Sequence, residues 1–326
     1  MKYSIIVPVF NRPQEVAELL HSLSQQTCRD FEVIIVEDGS EVTCREVCDH
    51  FANRLDIHYY VKENGGPGAA RNYGAEHATG EYFIVLDSDV VLPPGYLAAI
   101  TAELEERPCD AFGGPDRAHP DFTPVQKAIS YSMTSFFTTG GIRGGSSSPL
   151  GGKQKGALDK FYPRSFNMGV SRELWHRLGG FRAMRFGEDI DFSYRICEAG
   201  ASCRLFPEAW VWHKRRTDFS KFFRQVRNSG TARINLHLLH PGSMKLVHTL
   251  PAVFTLGCWL FAIPFSLIIF IDSSIRNRSL RVGFLSVPAS FIQLIGYGTG
   301  FLSAAWKRLV LKQKDEGFDD NKTLYK

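Results

Sequence analysis

The chain lacks a strong charge of either sign, any zinc-type cysteine spacing and any leader-like apolar run at its start. Its 326 residues carry 38 Lys and Arg against 34 Asp and Glu, a formal charge of +4. So even a balance provides no basic field of the kind that captures nucleic acid, and no nucleic-acid partner is expected. The seven cysteines are scattered, and no pair of CxxC units makes a metal site. Cys44 and Cys48 stand one helical turn apart, which suits a reduced helix face in a cytosolic domain. The apolar run at residues 5–10 is short, contains Pro8, and is followed at once by Asn11 and Arg12, so no signal peptide is expected. No internal repeat is visible.

Alternation fills the first half. "YSIIVPVF" (3–10) reads as a buried strand, and Val16, Leu19, Leu20 and Leu23 then mark one face of a helix. "FEVIIV" (31–36) is a second strand, ending in Glu37-Asp38-Gly39-Ser40. "IHYYV" (57–61) is a third, after which a Gly-rich turn opens a helix near Pro67, and "YFIVL" (82–86) is a fourth. This order predicts an α/β fold with a Rossmann-like, mostly parallel mixed sheet and helices on both faces. Such sheets bind ligands beyond the carboxyl ends of their strands, where Asn11, Asp38, Asp87 and Asp89 fall. Residues 138–156 are rich in Gly and Ser, with basic residues and no acid, and read as a mobile loop. Beyond it, Ser171 is the expected N-cap of a helix that ends at Gly179-Gly180. "FGEDIDFSYRICEAG" is another helix, and "WVWHKRR" a short strand with a basic end.

Asp87 and Asp89 in "LDSD" repel each other unless a positive charge lies near. A hard divalent cation with a diphosphate answers this, and a solvated strand-end turn is the plainer alternative. The turn in "ENGGPGAARNYG" can point backbone N–H groups at an anion, with Arg71 adding a fork of donors; read plainly it is a glycine turn. Glu188, Asp189 and Asp191 crowd one helix start. They are either a catalytic cluster or an acidic first turn favoured by the helix dipole.

Together, "SIIVPVFNR", "VIIVEDGS", "NGGPGAARNYG", "LDSD" and "RFGEDIDFSYR" resemble in order and spacing the family-two glycosyltransferases. These are inverting, nucleotide-sugar-dependent enzymes of GT-A fold, and the resemblance runs over roughly residues 4–213. It implies that Asp38 contacts the nucleoside, helped by Pro8 and Phe10, and that Asp87 and Asp89 are the DxD pair. Asp89 would be the direct ligand of Mn²⁺ or Mg²⁺, and His213 would complete the metal shell. Asp87, Arg71 and Glu188 would serve the donor, and Asp189 would be the base that takes the acceptor proton. Like-charge repulsion from Glu188 would raise the Asp189 pKa. Glu37 departs from the family's usual Asp. Lys214, Arg215 and Arg216 are candidates for phosphates or headgroups. Trp175 belongs either to an acceptor wall or to a helix core.

Hydropathy changes toward the C-terminus. Phe219, Phe222, Phe223 and Val226 form a stripe with Lys221, Arg224 and Arg227 between them. Residues 217–245 therefore read as amphipathic helices, lying on a membrane surface or packed on a domain comprising residues 1–216. Residues 250–271 and 282–306 hold no charge, and each is long enough for roughly 30 Å of hydrocarbon. They predict a membrane hairpin over 246–306, joined by the ten residues 272–281, with a polar tail at 307–326. Gly296, Gly298 and Gly300 would let helices approach closely. Nucleotide sugars are cytosolic, so the catalytic domain is expected on the cytosolic face of the inner membrane. A crossing hairpin would then put Arg276, Arg278 and Arg281 outside, against the positive-inside tendency.

The expected activity is transfer of a sugar from a nucleotide diphosphate sugar to a glycan or lipid-linked acceptor. Three rivals are weighed. A processive polysaccharide synthase would want a Gln-x-x-Arg-Trp motif, but Asn228 stands where that Arg would follow Gln225. A nucleotidyltransferase would need an N-terminal phosphate loop that "SIIVPVFNRPQE" does not contain. A non-catalytic glycan-binding protein would have little use for Asp38, Asp87, Asp89, Asp189 and His213 together.

Overall fold

A computed structural model describes residues 3–119, 121–139 and 161–313. Apart from Thr138 and Thr139, the expected mobile loop at 138–156 lies outside them, as does most of the polar tail. In chain order the elements are β1 (Tyr3–Val9), α1 (Pro13–Ser24), β2 (Phe31–Asp38), α2 (Arg45–Phe51), β3 (Ile57–Lys62), α3 (Pro67–His77) and β4 (Tyr82–Leu86). Then come β5 (Val90–Val91), α4 (Tyr96–Glu106), β6 (Ala111–Gly113), β7 (Asp116–Arg117), α5 (Pro124–Thr134), α6 (Phe136–Thr139), β8 (Asn167–Ser171), α7 (Arg172–Leu178) and α8 (Glu188–Glu198). The last are β9 (Cys203–Leu205), β10 (Val211–His213), α9 (Phe219–Leu239), α10 (Leu246–Asn277) and α11 (Leu280–Ala305).

Contacts divide the chain after Arg117 and after Lys214 into two compact units. The first holds the sheets with α1–α4, α7 and α8, and the second holds α5, α6 and α9–α11. The 118–139 segment thus groups with the C-terminal helices and not with the sheets.

In the first unit a seven-stranded sheet runs β3-β2-β1-β4-β8-β6-β9. All neighbours are parallel except β8, which is antiparallel to both β4 and β6. The apolar runs of β1 and β2 are buried almost throughout, as expected where helices cover both faces. One cluster under the sheet gathers Val16, Leu19, Leu20 and Leu23 of α1, and the other side holds Phe83, Trp175, Phe181 and Phe192. Trp175 is only 4% exposed, so of its two readings the core one holds. Pro8 falls past the last β1–β4 pair, at a ladder end where a missing donor is tolerated. A small second sheet, β5-β10-β7, pairs His213 with Val90.

In the second unit α10 continues to Asn277 and α11 begins at Leu280. The ten-residue connector is therefore mostly helix, and only Arg278 and Ser279 turn the chain. The physical reason is local: Asp272 and Arg276 pair at i,i+4 (3.0 Å) and favour continuing the helix. The α9 stripe is used internally. Phe222 and Val226 are buried with Ile129 and Met133 of α5 and against Ile292 of α11, not presented to lipid.

Candidate active site

β2 and β3 pair in register to Asp38↔Lys62, which brings the end of β2 against the turn before α3. Gly66 caps that helix at φ 86°, a conformation glycine adopts without strain. The turn's N–H groups do face an anion, but it is the chain's own: Gly65 N and Gly66 N donate to Asp38 at 2.9 and 2.7 Å, and Lys62 Nζ at 2.7 Å. Phe10 is 51% exposed at the end of β1, beside half-buried Pro8. Asn11, at φ 55°, accepts from Glu41 N and Val42 N and so ties the β1 end to the loop after β2.

The two aspartates of the LDSD turn are each neutralised by an arginine. Arg71, 3% exposed, donates to Asp87 Oδ1 at 2.9 Å and to Glu188 Oε1 at 3.1 Å, and lies over the Phe181 ring. Arg12 donates to Asp89 Oδ2 at 2.6 Å. The β5–β10 pairing sets His213 Nε2 3.3 Å from Asp89 Oδ1, with the imidazole stacked on Phe166. Burial opposes ionising Asp89, but the neighbouring His213 and Arg12 outweigh it and hold its carboxyl well below the usual carboxylate range.

Ligand atoms of Asp87, Asp89 and His213 lie within 4.8 Å of one another. Asp89 Oδ1 is buried and receives no hydrogen bond. A ligand oxygen left bare beside an imidazole nitrogen suits a divalent cation, so the residues present could hold one.

Gly187, φ 84°, caps the start of α8, whose first turn carries three acids with three different surroundings. Glu188 is held by Arg71. Its carboxyl is pushed up to about 7, chiefly by burial, with the Asp189 charge adding and Arg71 opposing. Beside Asp189, Glu188 is kept from water by burial. Asp189 is 22% exposed, and Arg164 Nη1 lies 3.7 Å from it. Asp191 is fully buried between Arg182 (3.0 Å) and Arg195 (2.8 Å). The chain Asp87–Arg71–Glu188 thus joins the turn after β4 to the start of α8.

Arg12, Lys62 and Arg164 were not anticipated. The only signal for Arg12 was its place two residues past a strand end that already held candidates; Lys62 and Arg164 carry no local pattern. Lys214 bonds Glu18 at 2.7 Å.

The chain is similar to known proteins over part of its length. Over 88 residues it is 41% identical to an uncharacterized glycosyltransferase of Rickettsia felis, covering 27% of this chain and 15% of that one. It is 30% identical over 114 residues to glycosyltransferase GlyG of Streptococcus pneumoniae (34% and 38% covered). It is 33% identical over 114 residues to poly(ribitol-phosphate) beta-N-acetylglucosaminyltransferase TarS of Staphylococcus aureus (34% and 20%). The matches therefore span well under half of each relative's length. Among solved structures, mannosyltransferase PcManGT from Pyrobaculum calidifontis, in complex with GDP-Man and Mn²⁺, superposes with a TM-score of 0.57. The identity is 19%, over 95% of this chain and 88% of that one. S. aureus TarS 1–349 with UDP-GlcNAc gives 0.53 at 18% identity, over 96% and 93%. The likeness shows a shared GT-A-type fold. The description "Glycosyl transferase family 2" matches residues 4–175, more than half of the sequence. On that match, and with the ordered strand-end carboxylates to accompany it, the chain belongs to glycosyltransferase family two.

Proposed function

We propose that the chain moves one sugar, with inversion, from a nucleotide diphosphate sugar to a hydroxyl of a glycan or lipid-linked acceptor. The observation that carries this reading is the Asp87–Arg71–Glu188 link. It supports the reading because Arg71, which bonds Asp87 of the metal-type cluster, also feels the charge of Asp189, one residue on from Glu188. Asp89 and His213 would hold Mn²⁺ or Mg²⁺, whose chemistry is to neutralise charge gathering on the leaving diphosphate. Asp87 and Arg71 flank the donor phosphates. Asp38, with Pro8 and Phe10, forms the nucleoside end, where Lys62 is the partner that a base would displace from Asp38. Asp189 takes the proton of the acceptor hydroxyl as that oxygen attacks the anomeric carbon and the bond to the diphosphate breaks. Arg164 restrains the Asp189 carboxylate. Attachment is assigned to the cytosolic face of the inner membrane, where nucleotide sugars are; among the described residues two helices are long and apolar enough to cross or enter a membrane, which supports the attachment.

The test is a screen of nucleotide diphosphate sugars with the detergent-solubilised full chain, read as release of nucleotide diphosphate. Release is expected to vanish in EDTA, to return with Mn²⁺ or Mg²⁺, and to fall by orders of magnitude in Asp89→Ala. Full activity in chelator would remove the metal from this scheme. Binding of every donor without any release would favour a non-catalytic role.

A further inference from the structure

The membrane reading leaves open whether α10 and α11 cross a bilayer, and the second unit carries an answer. α11 is its central helix. A Cβ on Gly298 would meet Thr255 Oγ1 and Pro251 O of α10 at 2.0 and 2.4 Å. One on Gly296 or Gly300 would meet α9 instead, at Val226 Cγ2 (2.5 Å) and Arg227 O (2.0 Å). At about 100° per residue, positions two apart point to nearly opposite sides of a helix. α10 and α9 therefore sandwich α11, and Gly230 of α9 closes the second seam against Tyr297 O. The close α9 contacts on α11 run from Gly296 to Phe301, and Phe219 and Phe222 of α9 join the apolar clusters that take in Val282, Ala289 and Ile292.

The two outer layers differ in chemistry. α10 exposes one continuous apolar face, including Leu246, Leu250, Val253, Leu260, Ile271 and Ile275, each more than half exposed. α9 exposes Lys221, Arg224 and Arg227. Phe223 and Val226, on either side of Arg224, meet Gly296, about 5 Å along the axis from the midpoint of α11. If α11 spanned a bilayer, Arg224 would sit near its centre and Arg227, whose backbone meets Gly300, would still lie within the hydrocarbon, where charge is costly. α5, with Lys127 and Gln126, also packs beside the first half of α11, at Val282 and Ala289, and would be carried to the same depth.

We infer that this unit lies in the plane of one leaflet without crossing: α10 is sunk among the acyl chains, α11 lies above it, and α9 faces water and headgroups. The inference rests on the membrane attachment proposed above. The occupant is a lipid leaflet carrying anionic headgroups, since basic residues ring both ends of the hairpin. Arg276, Arg278 and Arg281 stand at the turn, and Lys245, Lys307 and Arg308 at the other end. In-plane insertion keeps all six on one aqueous side, which removes the conflict with the positive-inside tendency. The exposed face of α10 runs from Leu246 to Ile275, about 44 Å, more than a crossing needs and unlimited for a helix lying flat.

The experiment synthesises the full chain in the presence of sealed vesicles of phosphatidylcholine and phosphatidylglycerol, recovers them by flotation, and probes both hairpin ends from outside. Single variants Arg276→Cys and Lys245→Cys are labelled with a membrane-impermeant maleimide, over the background of the native cysteines. The unaltered chain is treated with trypsin, so a misfolded variant cannot decide the outcome. The expected result is that both ends react from outside, changing by less than about twofold on permeabilisation. Reaction of one end only after permeabilisation, with matching tryptic protection, would show that the helices cross and would overturn the inference. A chain that does not float with the vesicles would instead defeat the attachment itself.

Discussion

Asp189 and Asp191 are two residues apart on α8, yet their surroundings assign them unlike work. Asp189 is partly exposed, with one arginine at 3.7 Å, whereas Asp191 is sealed between Arg182 and Arg195. Asp189→Asn keeps shape and removes proton acceptance. Transfer should fall by roughly 10²–10⁴-fold, with donor affinity measured calorimetrically near the unaltered value. Asp191→Asn should instead lower stability by roughly 3 kcal/mol, read by thermal unfolding, because two guanidinium groups lose their buried counter-charge. If the Asp189→Asn variant transfers at the normal rate, the base has been misassigned. Glu188 allows a pH test. Its carboxyl is raised to about 7 in the folded chain from 4.5, so the folded state binds more protons between those values. The stability it contributes is full below pH 4.5 and is lost as pH rises through 7. Thermal unfolding of Glu188→Gln and the unaltered protein should therefore diverge in favour of the variant from about pH 5 to 8. Parallel curves would mean that Glu188 is not desolvated.

At the scale of elements, legibility followed locality. The strands at 3–10, 31–36, 57–61 and 82–86, the Ser171 cap and the helix at "GEDID" were readable because each depends on spacing within one turn or one pleat. The ten residues 272–281 were legible as the join between two uncharged segments, but not as helix, which the i,i+4 pair Asp272–Arg276 helps to carry on to Asn277. The α9 stripe was readable as a stripe, but its partner was not, since nothing local says whether lipid, a sheet or a helix will cover it. The glycines of α11 mark close approach in the sequence, and only the packed unit distributes them between two neighbours. Gly300→Ile should force α9 off α11, where an added Cβ already meets Arg227 O at 2.0 Å. A loss of at least about 1–3 kcal/mol in thermal or denaturant unfolding is expected, as for overpacked cores. An unchanged midpoint would mean that the two helices are not in contact.

On the scale of the whole molecule, the proposed attachment and the proposed catalysis fall on different parts of the chain. Cutting after Lys245 would be a poor test of attachment, because it strips the cover from Phe222, Val226 and Ile129. Changes confined to the outer face of α10 avoid this. The combined variant Val253→Glu, Leu256→Glu and Leu260→Glu, at positions 64, 70 and 57% exposed, should move the chain from the membrane to the soluble fraction with its thermal unfolding preserved. Retention on membranes after a carbonate wash would place the anchor elsewhere.

What the sequence determined by itself was the order of strands and helices and the residue types at their ends. Periodicity and capping act over a few residues, and the family's motifs are short and ordered. Asp38, Asp87, Asp89, Asp189 and His213 were singled out on those grounds, and the fold brings Asp87, Asp89 and His213 together. Only the tertiary structure decided which cation meets which carboxylate. Arg12, Lys62 and Arg71 reach their partners across 77, 24 and 16 residues of chain, distances at which no sequence pattern survives. It also decided which acid in α8 is desolvated, since burial belongs to the packed neighbourhood and not to the tripeptide. For the same reason hydropathy left the fate of the apolar C-terminal segments undecided: composition measures a helix's preference for oil, and in the inference drawn above it is the cations packed beside α11 that limit how far into the oil it goes.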